Sequence, residues 1–224
     1  MVIASNRIRV GAAAVLVVSV LAVAMPAGAQ WRGEVWLGTA WSLPSGLTLA
    51  QANQPAISSD GSWSTQPYAP AWVYAVRVSR WSGDAAWAFE FMHHKMYLDN
   101  PPPGVAYLRL TNGVGFVLAE RIWRSHGWEY GVGAGPVLGV PISRVRDLVY
   151  NNAHGFFHSQ YELMGPGVQL NLGRRLRLLP FTYGMLAVKA TAAHLHVHIS
   201  DGHGTTSNLA LHIQYGLSLQ SSRR

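Results

Sequence analysis

Three histidines alternate in His194-Leu195-His196-Val197-His198, and His203 follows in the next five residues. Alternate residues of a strand share one face about 7 Å apart, so two of these imidazoles are spaced to share a metal ion. A complete site needs further ligands, for which His203, Asp201 and His212 are candidates. The same residues suit a second task, because partly protonated imidazoles at an outer rim attract phosphate. His158-Ser159, with Glu162 close by, offers the residue types of a serine hydrolase or acyltransferase. Adjacent strand residues point to opposite faces, however, so His158 does not easily activate Ser159. A third set is scattered: Glu34, Arg77, Glu90, Arg109, Glu129 and Lys189 stand in alternating apolar segments, with His94 and His212 at matching parity. Enclosed together, three acids and three bases neutralise one another, whereas any one of them buried alone is costly.

All three sets depend on strands. No window of helical length has a 3.6-residue apolar period, and a period of two dominates. Eight strands are expected, near 31–43, 72–81, 85–98, 105–123, 128–141, 158–172, 177–199 and 206–219. The connections after the second, fourth and sixth are tight: Ser-Gly-Asp, Arg-Ser-His-Gly and Gly-Arg-Arg. The others are longer on average and rich in Pro, Asn and Asp. Tryptophans mark the tight turns, with Trp81 and Trp87 around one and Trp123 and Trp128 around the next. Trp41, Trp72, Tyr97 and Tyr107 fall at the opposite strand ends. Aromatic girdles at both rims, short turns at one end and an even strand number describe a β-barrel that crosses a membrane.

The last strand separates the two faces. Leu209, Leu211, Ile213, Tyr215, Leu217 and Leu219 alternate with Asn208, Ala210, His212, Gln214, Gly216 and Ser218. Taking the apolar face outward on every strand puts Leu108, Leu110, Val114, Phe116 and Leu118 toward lipid and the scattered charges in the lumen. Counting back from the tight turn places Arg77 nearly opposite Glu90, so exchanging the two is expected to preserve their pair. The same counting places Arg109 near His94. Lys189 facing inward turns His194, His196 and His198 outward, unless a bulge intervenes. Gly131, Gly133, Gly135 and Gly139 read as lumen-facing positions where opposing side chains need room.

Arg7 and Arg9 precede an apolar run from Val10 to Met25 that ends in Pro-Ala-Gly-Ala. Residues 1–29 are therefore expected to be a secretory signal peptide, leaving 30–224 as a single barrel domain. The net charge of +7 includes both of those arginines, and the remaining basic residues are dispersed. This argues against nucleic acid as a partner. The chain has no cysteine, so no disulfide closes its sheet edges, and no cofactor motif is present.

The whole chain from Gln30 onward resembles the small eight-stranded outer-membrane barrels of Gram-negative bacteria. Phe89-Glu-Phe-Met-His-His-Lys-Met-Tyr-Leu-Asp-Asn-Pro-Pro-Pro-Gly-Val105 resembles a segment of such barrels that have no assigned function. The last strand resembles the C-terminal assembly signal of outer-membrane proteins, without its terminal aromatic and with an added tail, Gln220 to Arg224. The resemblance implies insertion by the barrel-assembly machinery, an outer-membrane location with both termini periplasmic, and contact with outer-membrane lipids and lipopolysaccharide. It transfers no catalytic residue. A non-enzymatic barrel acting through its loops, chiefly 44–71 and 142–157, is the leading expectation. A lipid A acyl hydrolase or acyltransferase is the alternative.

Overall fold

The computed structural model describes residues 30–67, 72–152 and 161–221. The expected segment 1–29, His158, Ser159 and the last three residues lie outside them. The described chain forms twelve strands: β1 (Gln30–Ser42), β2 (Ser45–Gln51), β3 (Ile57–Gly61), β4 (Trp63–Ser64), β5 (Tyr74–Ser82), β6 (Ala85–Leu98), β7 (Val105–Ser125), β8 (Trp128–Val145), β9 (Leu148–Asn151), β10 (Glu162–Leu179), β11 (Thr182–Ile199) and β12 (Gly202–Gln220). Eight of them, β1, β5, β6, β7, β8, β10, β11 and β12, pair antiparallel in that order, and β12 returns to β1. The ring is closed, so the backbone has no free edge within it.

The register fixes the size of the barrel. From Trp31, stepping to the partner on each next strand leads through Arg80, Trp87, Arg121 and Val132. It continues through Leu170, Ala190 and Leu211 to β1 again, at Trp41. The ring thus closes with a stagger of ten residues, from Trp31 to Trp41. Such a stagger over eight strands tilts them by roughly 40–45°, which sets Trp31 and Trp41 about 24 Å apart along the axis. An apolar band about 25 Å tall is what an outer-membrane barrel presents to lipid. Val35, Val78, Val132, Leu170, Leu186 and Leu211 are among the exposed residues between those limits. The molecule is an eight-stranded antiparallel transmembrane barrel.

Trp87 and Trp128 are exposed at the tight-turn rim, and Trp41 and Trp72 near the other, as girdles require. Trp81 departs from this expectation. It is only 2% exposed and closes the bottom of the lumen, because it shares the parity of Arg77 and Ser79, which also face inward. The tight turn expected after the sixth strand also moves. The strand runs through Gly173-Arg174-Arg175 and turns at Pro180-Phe181, where the missing N–H of proline breaks no ladder.

The larger correction concerns β7. Leu108, Leu110, Val114, Phe116 and Leu118 are all buried inside the barrel. Glu120 continues the same face, so turning this face to lipid would have put a carboxylate there. Arg109 consequently points outward, where its guanidinium lies 4.8 Å from the Tyr107 ring. It pairs in register with Tyr97, while His94 pairs with Val114.

Several strands continue past the apolar band. β2 adds to the end of β12 and β3 adds to β2, so Leu47-Thr48-Leu49 extends the sheet. β4 adds to β6 through Trp63, and β9 folds back on β8 within the 142–157 connection.

Candidate functional site

The lumen is the candidate site, and it has two unlike halves. In the half near the tight turns, Arg32 and Glu34 of β1 point inward beside Arg77 of β5 and Glu90 of β6. Glu120 of β7, Glu129 of β8, Gln169 of β10 and Lys189 of β11 complete the set. Arg32 grips Glu129 with two parallel N–H···O bonds of 2.6 and 2.5 Å. Its Nε lies 3.1 Å from Glu34. Arg77 donates from Nε to Glu34 and approaches Glu120 and Glu90 at 3.5 and 3.8 Å. Lys189 Nζ donates to both oxygens of Glu90, at 2.6 and 2.7 Å. Gln169 donates its amide to Glu120 and, at 3.2 Å, to Glu90. Two of these contacts join opposite sides of the ring. Arg32–Glu129 links β1 to β8, and Lys189–Glu90 links β11 to β6, each four strands away.

Arg175, half-buried at the rim, comes within 4.0 Å of Glu129 and binds Gln220 at 2.9 Å. With it, four cations (Arg32, Arg77, Arg175, Lys189) meet four carboxylates (Glu34, Glu90, Glu120, Glu129). Trp36 roofs the network, its ring 5.3 Å from the Arg77 guanidinium and 5.0 Å from Lys189 Nζ. Trp81 floors it, 4.5 Å from Arg32.

Above lies a short polar seam. Thr191 and His212 share a 2.9 Å hydrogen bond, and His94 meets Asn208 at 3.2 Å. The two imidazoles stand edge to face at 5.1 Å. From there upward the lumen is dry: Met92, Val114, Phe116, Val137, Met164 and Leu195 belong to one buried apolar cluster. Glycines on β8 make the space. A Cβ at Gly133 would meet the Glu120 side chain at 3.0 Å, and one at Gly139 would meet Met164 Sδ at 2.3 Å.

Of the eight residues expected in the lumen, Glu34, Arg77, Glu90, His94, Glu129, Lys189 and His212 are buried there, and Arg109 is not. Arg77 and Glu90 are register partners. Their closest ionic contacts nevertheless go elsewhere, Arg77 to Glu34 and Glu90 to Lys189. Sequence reasoning missed Arg32 and Glu120. Arg32 was visible in the parity of Glu34, two residues on, whereas Glu120 was hidden by the inverted facing of β7.

His194, His196 and His198 stand on the outward face of β11, above the apolar band. The first two rings meet edge to face at 5.4 Å. His198 instead binds Glu162 at 2.6 Å and lies opposite His203 in register. Glu162 also accepts a hydrogen bond from Tyr150 at 2.6 Å and one from Asn152. Among the described residues, no three His, Asp or Glu side chains are grouped to hold a metal ion.

No protein-family model matches the chain, and no curated protein matches its sequence. Solved structures do resemble it in fold. One is Neisserial surface protein A, at 10% identity, covering 86% of this chain and 97% of that one with a TM-score of 0.38. Another is Ail, the attachment invasion locus protein of Yersinia pestis, at 8% identity, covering 84% and 99% with a TM-score of 0.33.

Proposed function

We propose that the chain is an exported outer-membrane anchor that holds a strand-built rim and its loops outside the bilayer, where they meet lipopolysaccharide or external partners. The filled lumen carries this reading. Cross-linked charges block the lower half, and packed apolar side chains block the upper half. An eight-stranded ring leaves room for little else. In this reading residues 1–29 are removed during export, and both ends of the barrel chain, which meet where Ser221 N donates to Trp31 O, face the periplasm. His194 and His196, above the apolar band, are then placed to meet lipopolysaccharide phosphates.

The test is electrical. The purified barrel in a planar bilayer is expected to insert without stepwise conductance. Regular single-channel steps from correctly inserted protein would overturn the anchor reading in favour of a pore. The mass of the protein isolated from outer membranes is expected to correspond to a chain beginning at Gln30.

One contact favours a second reading, an enzyme acting on lipid A: His194 Nδ1 lies 3.5 Å from Ser207 Oγ on the outward face. A working triad also needs an acid to orient the imidazole. Glu162, the nearby candidate, is committed to His198, Tyr150 and Asn152. Lipid A from cells with and without the protein is accordingly expected to give the same mass spectrum. Loss or gain of an acyl chain would establish the enzyme instead.

A further inference from the structure

The outer surface next to the tight turns carries cations that the lumen network does not use. Trp31, Arg80, Trp87 and Arg121 are successive register partners on β1, β5, β6 and β7. All four side chains face outward, and the row climbs from the lower edge of the apolar band at Trp31 to about 9 Å above it at Arg121, whose long stem lets the guanidinium reach back toward Trp123 and the headgroups. The Arg121 guanidinium lies between two indoles, 5.1 Å from Trp87 and 5.8 Å from Trp123. Arg80 keeps its Nη2 shielded from solvent with no hydrogen-bond partner in the protein. No carboxylate forms an ion pair with either arginine among the described residues. Glu120 and Glu129 point into the lumen, and Asp84 is taken by Arg124 at 3.0 Å. A guanidinium held at a membrane surface without a counter-charge is a site for an anion.

An apolar groove of about 540 Å³ begins at Arg121 and Trp87 and crosses β7, β8, β10 and β11 to Leu209 of β12, toward the opposite edge of the band. The methyl groups of Ala119, Ala134, Ala190 and Ala192 form its floor, and Val132 and Leu170 are among the larger side chains beside them. Cation and groove therefore occur in the order of headgroup and tail.

We propose that this face binds one anionic phospholipid, with its phosphate held by Arg80 and Arg121 and one acyl chain lying in the groove. The inference rests on the proposed orientation, in which the tight-turn end faces the leaflet that carries phospholipid. The occupant is chosen by charge complementarity: a lone hydrocarbon would leave both arginines unpaired, and a soluble anion would leave the groove unfilled. The two indoles flanking Arg121 limit its wandering and hold it at headgroup depth.

The experiment uses the full barrel in phosphatidylcholine vesicles doped with spin-labelled phosphatidylglycerol or spin-labelled phosphatidylcholine. The readout is the fraction of each label that is motionally restricted. The wild-type barrel is expected to prefer phosphatidylglycerol. The preference should fall about fivefold for each of Arg80→Gln and Arg121→Gln. Ala134→Phe, which fills the groove from the exposed face, should remove restricted label while keeping both arginines. Equal restriction of the two labels by wild-type barrel that is inserted and heat-modifiable in gels would overturn the lipid site and leave the membrane reading standing. Failure of the wild-type chain to insert at all would overturn both. Cysteine cross-linking at Ala134 that joins two barrels, with no lipid preference, would identify a second copy of the chain as the occupant and sink the lipid proposal.

Discussion

Lys189→Met is expected to destabilise the barrel by about 3–5 kcal/mol, the usual cost of leaving one member of a buried pair without its partner. Glu90 would lose both of its bonds to the ammonium and keep only Gln169 at 3.2 Å and a distant Arg77 at 3.8 Å. The measurement is urea-induced unfolding from lipid vesicles, followed by tryptophan fluorescence. Adding Glu90→Gln should return most of the loss, since a neutral amide no longer needs the cation. If the double variant is as unstable as the single one, Lys189 acts through packing against Trp36 and not through its charge. The network also predicts that exchanging Arg77 and Glu90 fails, although the two are register partners. The exchange would set a glutamate beside Glu34 and Glu120 and an arginine beside Lys189. Pairing in such a lumen belongs to the group, so local inversion creates three repulsive contacts.

Gly135→Ala is expected to have a comparable effect for a purely steric reason. A Cβ there would lie 1.9 Å from the carbonyl oxygen of Val117 on the neighbouring strand. No rotamer relieves a clash with backbone, so β7 and β8 must separate or twist. The expected cost is about 3 kcal/mol or more, at the upper end for overpacking. Across the ladder, Gly135 faces Gly167, and a Cβ at Gly167 would strike the Phe116 ring at 2.7 Å. These glycines let the Phe116 ring lie against the wall. Gly33→Ala is the control, because a Cβ there meets nothing within 4 Å. It should be neutral or slightly stabilising, since alanine has less chain entropy to lose. Heat-modifiability in gels and urea midpoints report both. Equal midpoints for the two variants would show that the strands tolerate the added atom.

The ring of eight strands was legible because a lipid-facing strand writes its surroundings into every second residue. Leu209 to Leu219 show this without ambiguity, and counting from a tight turn was enough to bring Arg77 opposite Glu90. The rule that the apolar face looks outward works only while the lumen is polar. In β7 both faces are mixed, because its upper inward positions fill the dry half and Glu120 serves the wet half. Its outward face meanwhile carries Arg109 and Arg121, whose long stems let the charge reach the interface. A one-strand view has no means of weighing these alternatives. Trp81 illustrates the same limit, since an indole next to a turn suits the girdle as well as a floor. The turn after β10 was placed too early, because Gly-Arg-Arg has the composition of a turn but Arg175 has partners in Glu129 and Gln220 that keep it in the sheet. The pairing of acids with bases across the ring depends on closure, and no spacing along the chain encodes it.

That dependence governs how long the barrel lasts once made. Arg32–Glu129 and Lys189–Glu90 each run across a diameter. An open sheet holds these four residues far apart, so neither contact helps until the last seam, β12 on β1, is shut. The reverse holds for escape: parting that seam strains both struts before water can reach the charges they release. The transition state for opening therefore carries a loss that the shut ring does not, and the half-life of the inserted protein is set by this rate. Severing either strut should shorten that half-life more than it slows insertion.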